Sequence, residues 1–158
     1  MSTTKSSFTI QNPLERTAYP LNNDTTEQPT RLGYEIIRDH VLPTILGKHE
    51  NEILYWAGKD IARKFPMFST DELPAFFSEA GWGHLTFSSN KQPKDEAWLI
   101  LQQPDLTVLE KRSYQLEAGF LAEQFQKLNG YLAECYAEKQ VKKKQIHFIV
   151  KWDTKTTV

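Results

Sequence analysis

Apolar positions along this chain follow two different periods, and the switch between them divides it. Tyr34, Ile37, Val41, Leu42, Ile45 and Leu46 recur at helical spacing, with Gly47 as a stop. Pro43 inside that run removes a backbone donor, so a kink is expected. A second helix is predicted from near Asn51 to Pro66. Its main apolar face gathers Ile53, Leu54, Ala57, Ile61 and Phe65, with Trp56 on the back. Ile36 likewise falls on the back of the first helix. Ser69 and Glu72 have the spacing of a capping box and open a third helix through Phe76 and Phe77 to Gly81. Pro74 is tolerated near its first turn.

After Gly81 the period becomes that of strands. Trp82–Ser88 and Glu96–Gln102 alternate, and Leu106–Lys111 reads as a shorter strand after the Pro104-Asp105 turn. Leu116, Phe120, Leu121, Gln124, Phe125 and Leu128 give a fourth helix, closed by Asn129-Gly130. Tyr131–Gln140 suits either a helix by composition or a strand by its place after a breaker; a strand is expected. In Gln145–Trp152, Ile146, Phe148, Val150 and Trp152 share one face. The expected architecture is α+β: N-terminal helices packed on a twisted antiparallel sheet, with one helix inserted before the last hairpin. The expected organisation is a disordered tail over residues 1–30, a single domain over 31–153 and a short tail over 154–158. The N-terminal stretch is rich in Ser, Thr, Asn and Gln and too poor in apolar surface to offset its ordering entropy.

Composition changes the picture mainly by exclusion. With 158 residues, of which 39% are hydrophobic, the chain is long enough to bury a core without metals or crosslinks. A net charge of −1 supplies no global field for nucleic acid. The lone Cys135 makes an intramolecular disulfide impossible, and neither a signal-peptide pattern nor a membrane span is visible. A cytoplasmic location is expected.

Candidate chemistry is sparse. No phosphate-cradling glycine loop, paired-cysteine zinc motif or nucleophile elbow is present. Cys135 between Ala133 and Ala137 reads as packing, although a thiol beside a base is a possible nucleophile. His40, His49, His84 and His147 show no metal-ligand pairing. Lys139, Lys142, Lys143 and Lys144 read as a solvated hairpin tip. In the stretch Phe76–His84, glycines flank Trp82 and permit either a tight packed corner or a pocket lip formed by Trp82 and His84.

Several runs carry a resemblance: Tyr55-Trp56-Ala57-Gly58-Lys59, Ala75-Phe76-Phe77 through Ala80-Gly81-Trp82-Gly83, Gln115-Leu116-Glu117-Ala118-Gly119-Phe120, and Val150-Lys151-Trp152-Asp153. Together they resemble the bacterial YslB family, from Leu32 to Asp153. That family is similar in fold to 4-vinyl-reductase-type small-molecule-binding domains and to subunits of the TRAPP vesicle-tethering complex. The resemblance implies helices on one side of an antiparallel sheet, frequent dimerisation and an apolar pocket near the core. Sensor members of the wider group carry paired cysteines in the final hairpin. Here Cys135 stands alone, with Ile146 near the expected place of another. Haem sensors of the broader fold need a helical histidine, and His40 is the one placed on a predicted helix. No catalytic residue, metal or cofactor transfers.

These readings make the domain a non-enzymatic small-molecule-binding or protein-docking module. The expected lining is Trp56, Phe77, Trp82, His84, Phe87, Trp98 and Phe120, around an apolar small molecule. A homodimer through the first two helices is the expected partner arrangement. The competing readings are an enzyme using Cys135 or His84, with Glu79 as helper, and a haem- or metal-binding sensor.

Overall fold

A computed structural model describes residues 30–158; the expected disordered tail, Thr30 excepted, lies outside the described residues. Thr30 opens helix α1 by accepting from the Gly33 N–H at 3.0 Å. That helix runs through Arg31–Glu35, a π-helical stretch Ile36–Val41 and Leu42–Leu46. The π stretch is the form the Pro43 disturbance takes. The proline ring crowds the carbonyl four residues back, and a wider turn relieves it. Leu42 N–H accordingly bonds the Ile37 carbonyl, and the Thr44 hydroxyl donates to the His40 carbonyl at 2.8 Å.

Helix α2 spans Glu50–Lys64. The Ser69–Glu72 capping box is present and leads through a short 3₁₀ turn into α3, Leu73–Glu79. Strands β1 (Leu85–Phe87) and β2 (Glu96–Gln102) follow, then α4 (Leu106–Lys111), α5 (Gln115–Asn129), β3 (Tyr131–Gln140) and β4 (Gln145–Thr157). Among the described residues the sheet has the order β1-β2-β4-β3, antiparallel throughout. The α+β expectation holds, with α5 preceding the last hairpin.

Three local expectations are corrected. The first predicted strand shrinks to Leu85–Phe87, because Trp82 and Gly83 still donate to the Phe77 carbonyl at 2.8 and 3.3 Å. Gly81 and Gly83 supply the positive φ angles, 77° and 126°, that this turn needs. Leu106–Lys111 is a helix: the Asp105 carboxylate accepts from Thr107 and Val108 N–H at 3.0 and 3.3 Å, and Leu109 is fully buried. Finally, residues 154–157 are strand rather than tail, with Tyr131 opposite Thr157.

The helices cover one sheet face. Leu85, Leu99, Leu101, Ile146, Phe148 and Val150 point into the core, where Phe120, Leu121 and Phe125 of α5 meet them. Helix α2 packs on α5 through small residues. Its buried positions are Leu54, Gly58 and Ala62, not the larger set expected, and Ile53 turns outward with Trp56.

Helix α1 packs in the opposite sense to an ordinary amphipathic helix. Its buried residue is Arg38, while Leu32, Ile36, Ile37 and Ile45 are exposed, Ile45 to 71%. The Arg38 guanidinium reaches Glu117 Oε1 at 2.7 Å, the Ser113 carbonyl at 2.8 Å and the Tyr34 hydroxyl at 2.7 Å. Next to it, Asp39 takes both Nε and Nη2 of Arg112 at 2.7 Å. Polar contacts of Arg38 and Asp39 anchor α1 to the domain, beside Tyr34, which packs partly buried against the core.

Candidate functional site

Of the seven residues expected to line a pocket, three meet in the core. Phe77, Trp82 and Phe120 form an aromatic cluster with Phe76, with ring centroids 4.6 to 6.1 Å apart. Edge-on and stacked rings at such spacings leave the interior filled. Trp82 is therefore buried, while His84, two residues on, is exposed. Gly83 between them breaks the strand alternation that would have put both side chains on one face. Phe87 is exposed on the edge strand, and Trp56 is 63% exposed on the outer side of α2.

The seventh, Trp98, marks a different place. Register puts Trp98 beside Ile149, with Tyr136 on the far side of Ile149, and Ile100 beside His147, with Glu138 beyond it. These residues project from the sheet face opposite the helices. Ser88 and Asn90 of the β1–β2 connection join Trp98, Leu99, Ile100, Glu138, His147 and Ile149 around a concavity of about 230 Å³. Trp98, Ile100 and Ile149 give it apolar lining, and His147 lies on β4 between Ile100 and Glu138.

Hydrogen bonds fix this surface. The Trp98 indole N–H donates to Glu96 Oε1 at 2.8 Å, and Trp98 N–H donates to Gln92 Oε1 at 3.1 Å, tying the β1–β2 connection to β2. The His147 ring Nε2 lies 2.9 Å from Gln145 Oε1. Burial and the nearby Lys143 hold His147 below its ordinary pKa, against the opposing pull of Glu138. The imidazole is therefore neutral at neutral pH.

Sequence reasoning missed Ile100, Glu138, His147 and Ile149, yet a signal was available. β2 is apolar at both parities, with Leu99 and Leu101 on one face and Trp98 and Ile100 on the other. A strand next to solvent on one side would alternate with polar residues there. Ile149 repeats the anomaly in β4, opposite in parity to Phe148 and Val150.

Cys135 is buried, and burial pushes its thiol far above the ordinary range. Its thiol donates to the Tyr136 carbonyl at 3.8 Å, and its backbone N–H donates to the Tyr55 hydroxyl at 3.2 Å. Among the described residues no group of three or more His, Cys, Asp and Glu is placed to hold a metal. Nor is any helix among them long and apolar enough to cross a membrane.

A family model described as a protein of unknown function (DUF2507) matches residues 31–151. The protein called uncharacterized protein YslB of Bacillus subtilis (strain 168) is 46% identical over 130 residues, spanning 80% of this chain and 86% of that protein. Among solved structures, a vinyl-4-reductase family protein from Methanocaldococcus jannaschii aligns over 80% of this chain and 83% of its own, with a TM-score of 0.58 and 19% identity. That likeness shows a shared fold. A trafficking protein particle complex subunit 3 from Naegleria fowleri aligns over 80% of this chain and 91% of its own, with a TM-score of 0.43 and 10% identity. By the match over residues 31–151 and the 46% identity to YslB, this chain belongs to the DUF2507 family of proteins of unknown function.

Proposed function

We propose that this protein is a non-enzymatic, cytoplasmic binding module that takes an apolar small molecule on the open face of its sheet. One observation carries the reading. Trp98, Ile100 and Ile149 are apolar residues the core does not use, and they gather around one concavity. A ligand among Phe77, Trp82 and Phe120 would have to displace packed rings. The enzymatic alternative finds less support, since the Cys135 thiol is buried and held protonated while His84 is exposed just before β1. The test is a titration of the full chain with neutral 2-phenylethanol, followed by amide shifts in NMR. Shifts centred on Trp98–Ile100 and His147–Ile149, lost in Ile149→Glu, are expected. Shifts confined to other elements would reject the reading.

A second surface supports self-association. The exposed apolar residues of α1, together with Ile53 and Trp56 of α2, turn away from the core. Polar docking of α1 leaves that apolar side for a partner, and a second copy is the simplest one. Light scattering at tens of micromolar should find a wild-type dimer and a folded, monomeric Trp56→Asp variant. A monomeric wild type, or a folded variant that stays dimeric, removes this part of the reading.

A further inference from the structure

We infer that the depression on the open sheet face selects a cation, and that its ligand is a small amine carried on an apolar body. The inference rests on the reading that this depression binds a ligand at all. Three features of the lining point to it. Glu138 is the carboxylate residue of the lining, exposed on β3. Among the described residues no cation lies within ion-pair distance of it. Its cross-strand neighbour His147 is neutral, its ring engaged with Gln145, so it offers no positive charge to an anion.

The apolar lining adds a second attraction for positive charge. The indole N–H of Trp98 is already committed to Glu96, which leaves the ring to interact through its π surface. One row away the fold makes this kind of contact itself, with Lys151 Nζ 5.7 Å from the Tyr136 ring centroid and 3.9 Å from Glu96 Oε2. Lys143 is near enough to influence His147 but is not part of the lining.

The concavity is small. At about 230 Å³, the concavity is below the roughly 300 Å³ at which ligand pockets usually begin. That volume suits one ring and a short arm. Ile100 and Ile149 would hold the apolar body, Glu138 the ammonium group, and Ser88 and Asn90 would offer neutral hydrogen-bonding groups at the rim. An anion of the same shape would meet the uncompensated Glu138 carboxylate.

Three probes of matched shape separate this inference from the one beneath it: 2-phenylethylamine, 2-phenylethanol and phenylacetate, titrated into the full chain at pH 7.5 with NMR detection. The amine is expected to bind about tenfold more tightly than phenylacetate, the gap a single favourable charge contact gives at a solvated site. Glu138→Gln, an exposed strand position, should erase that preference, so that the amine and phenylacetate bind about equally. Equal or tighter binding of phenylacetate, or a preference that survives Glu138→Gln, overturns the cation selectivity while leaving the binding surface intact. If none of the three probes shifts the β2 and β4 amides, the binding surface fails and the selectivity with it.

Discussion

Gly58 of α2 and Gly119 of α5 meet where the two helices touch backbone to backbone. A Cβ on Gly58 would overlap the Leu116 carbonyl and stand 2.7 Å from Phe120 N, and one on Gly119 would overlap the Tyr55 carbonyl. Neither clash involves a flexible side chain that could swing away. The crossing lets α2 lie close on α5, the helix that presses Phe120 into the aromatic cluster.

Alanine at either glycine should therefore destabilise the fold. Helix propensity favours alanine by up to about 1 kcal/mol, whereas overpacking a tight contact costs about 1–3 kcal/mol, occasionally more. Urea denaturation should show a net loss for Gly58→Ala and for Gly119→Ala. The double variant should lose less than the sum, because one separation of the helices accommodates both methyl groups. A single variant as stable as wild type would mean the helices are not in backbone contact.

The Arg38–Glu117 pair predicts a different pattern. Both side chains are almost fully buried, and Arg38 Nε and Glu117 Oε2 have no partner among the described residues. Removing one charge leaves the other stranded, which costs about 3–5 kcal/mol for buried pairs; removing both costs far less. Arg38→Met should speed hydrogen exchange of the α1 amides, and Arg38→Met with Glu117→Met should restore much of the protection. Equal exchange in the single variant and wild type would show that α1 is held by something else.

Cys135 should be inert in the native state. Iodoacetamide should label it slowly at pH 8 and at the rate of a free thiol only in denaturant, since burial opposes the thiolate. Fast native labelling would return the nucleophile reading to consideration.

Alkaline pH should weaken the fold in a defined window. Burial pushes Tyr55 and Tyr114 up to about 12 from an ordinary value of 10.0. The native state thus holds these protons more tightly than the unfolded chain. Their contribution is complete below pH 10 and is lost as pH rises through about 12. Urea midpoints measured between pH 9 and pH 12 should fall, and Tyr114→Phe should flatten the slope. A flat profile in wild type would contradict the burial of both phenols.

Much of the fold was legible because local rules and tertiary packing agree over most of the chain. The capping box at Ser69 and Glu72 stands where its spacing put it, and β2 and β3 keep their expected bounds. Asn129-Gly130 closes α5 with Gly130 in the left-handed region. The error at Leu106–Lys111 came from reading a six-residue segment by period alone; so short a segment fits either element, and the Asp105 cap decides. The candidate site was less legible. Aromatic residues were grouped by type, and the structure divides them: Phe77, Trp82 and Phe120 fill the core, Trp98 opens onto the other face, and Trp56, His84 and Phe87 stand apart on the surface.

By itself the sequence determined the element order, the α+β class and the inward row of Ile146, Phe148 and Val150, because periodicity and capping act over a few residues. Tertiary structure alone decided which side of each element faces what. Helical periodicity in α1 names an apolar stripe but cannot say that Glu117 and Arg112, more than seventy residues away, bind Arg38 and Asp39 and leave Ile37 and Ile45 of that stripe exposed. Likewise, a strand with apolar residues at both parities reveals two apolar faces. Which of them the helices cover, and that Glu138 stands beside the open one, depends on register between strands far apart in the chain.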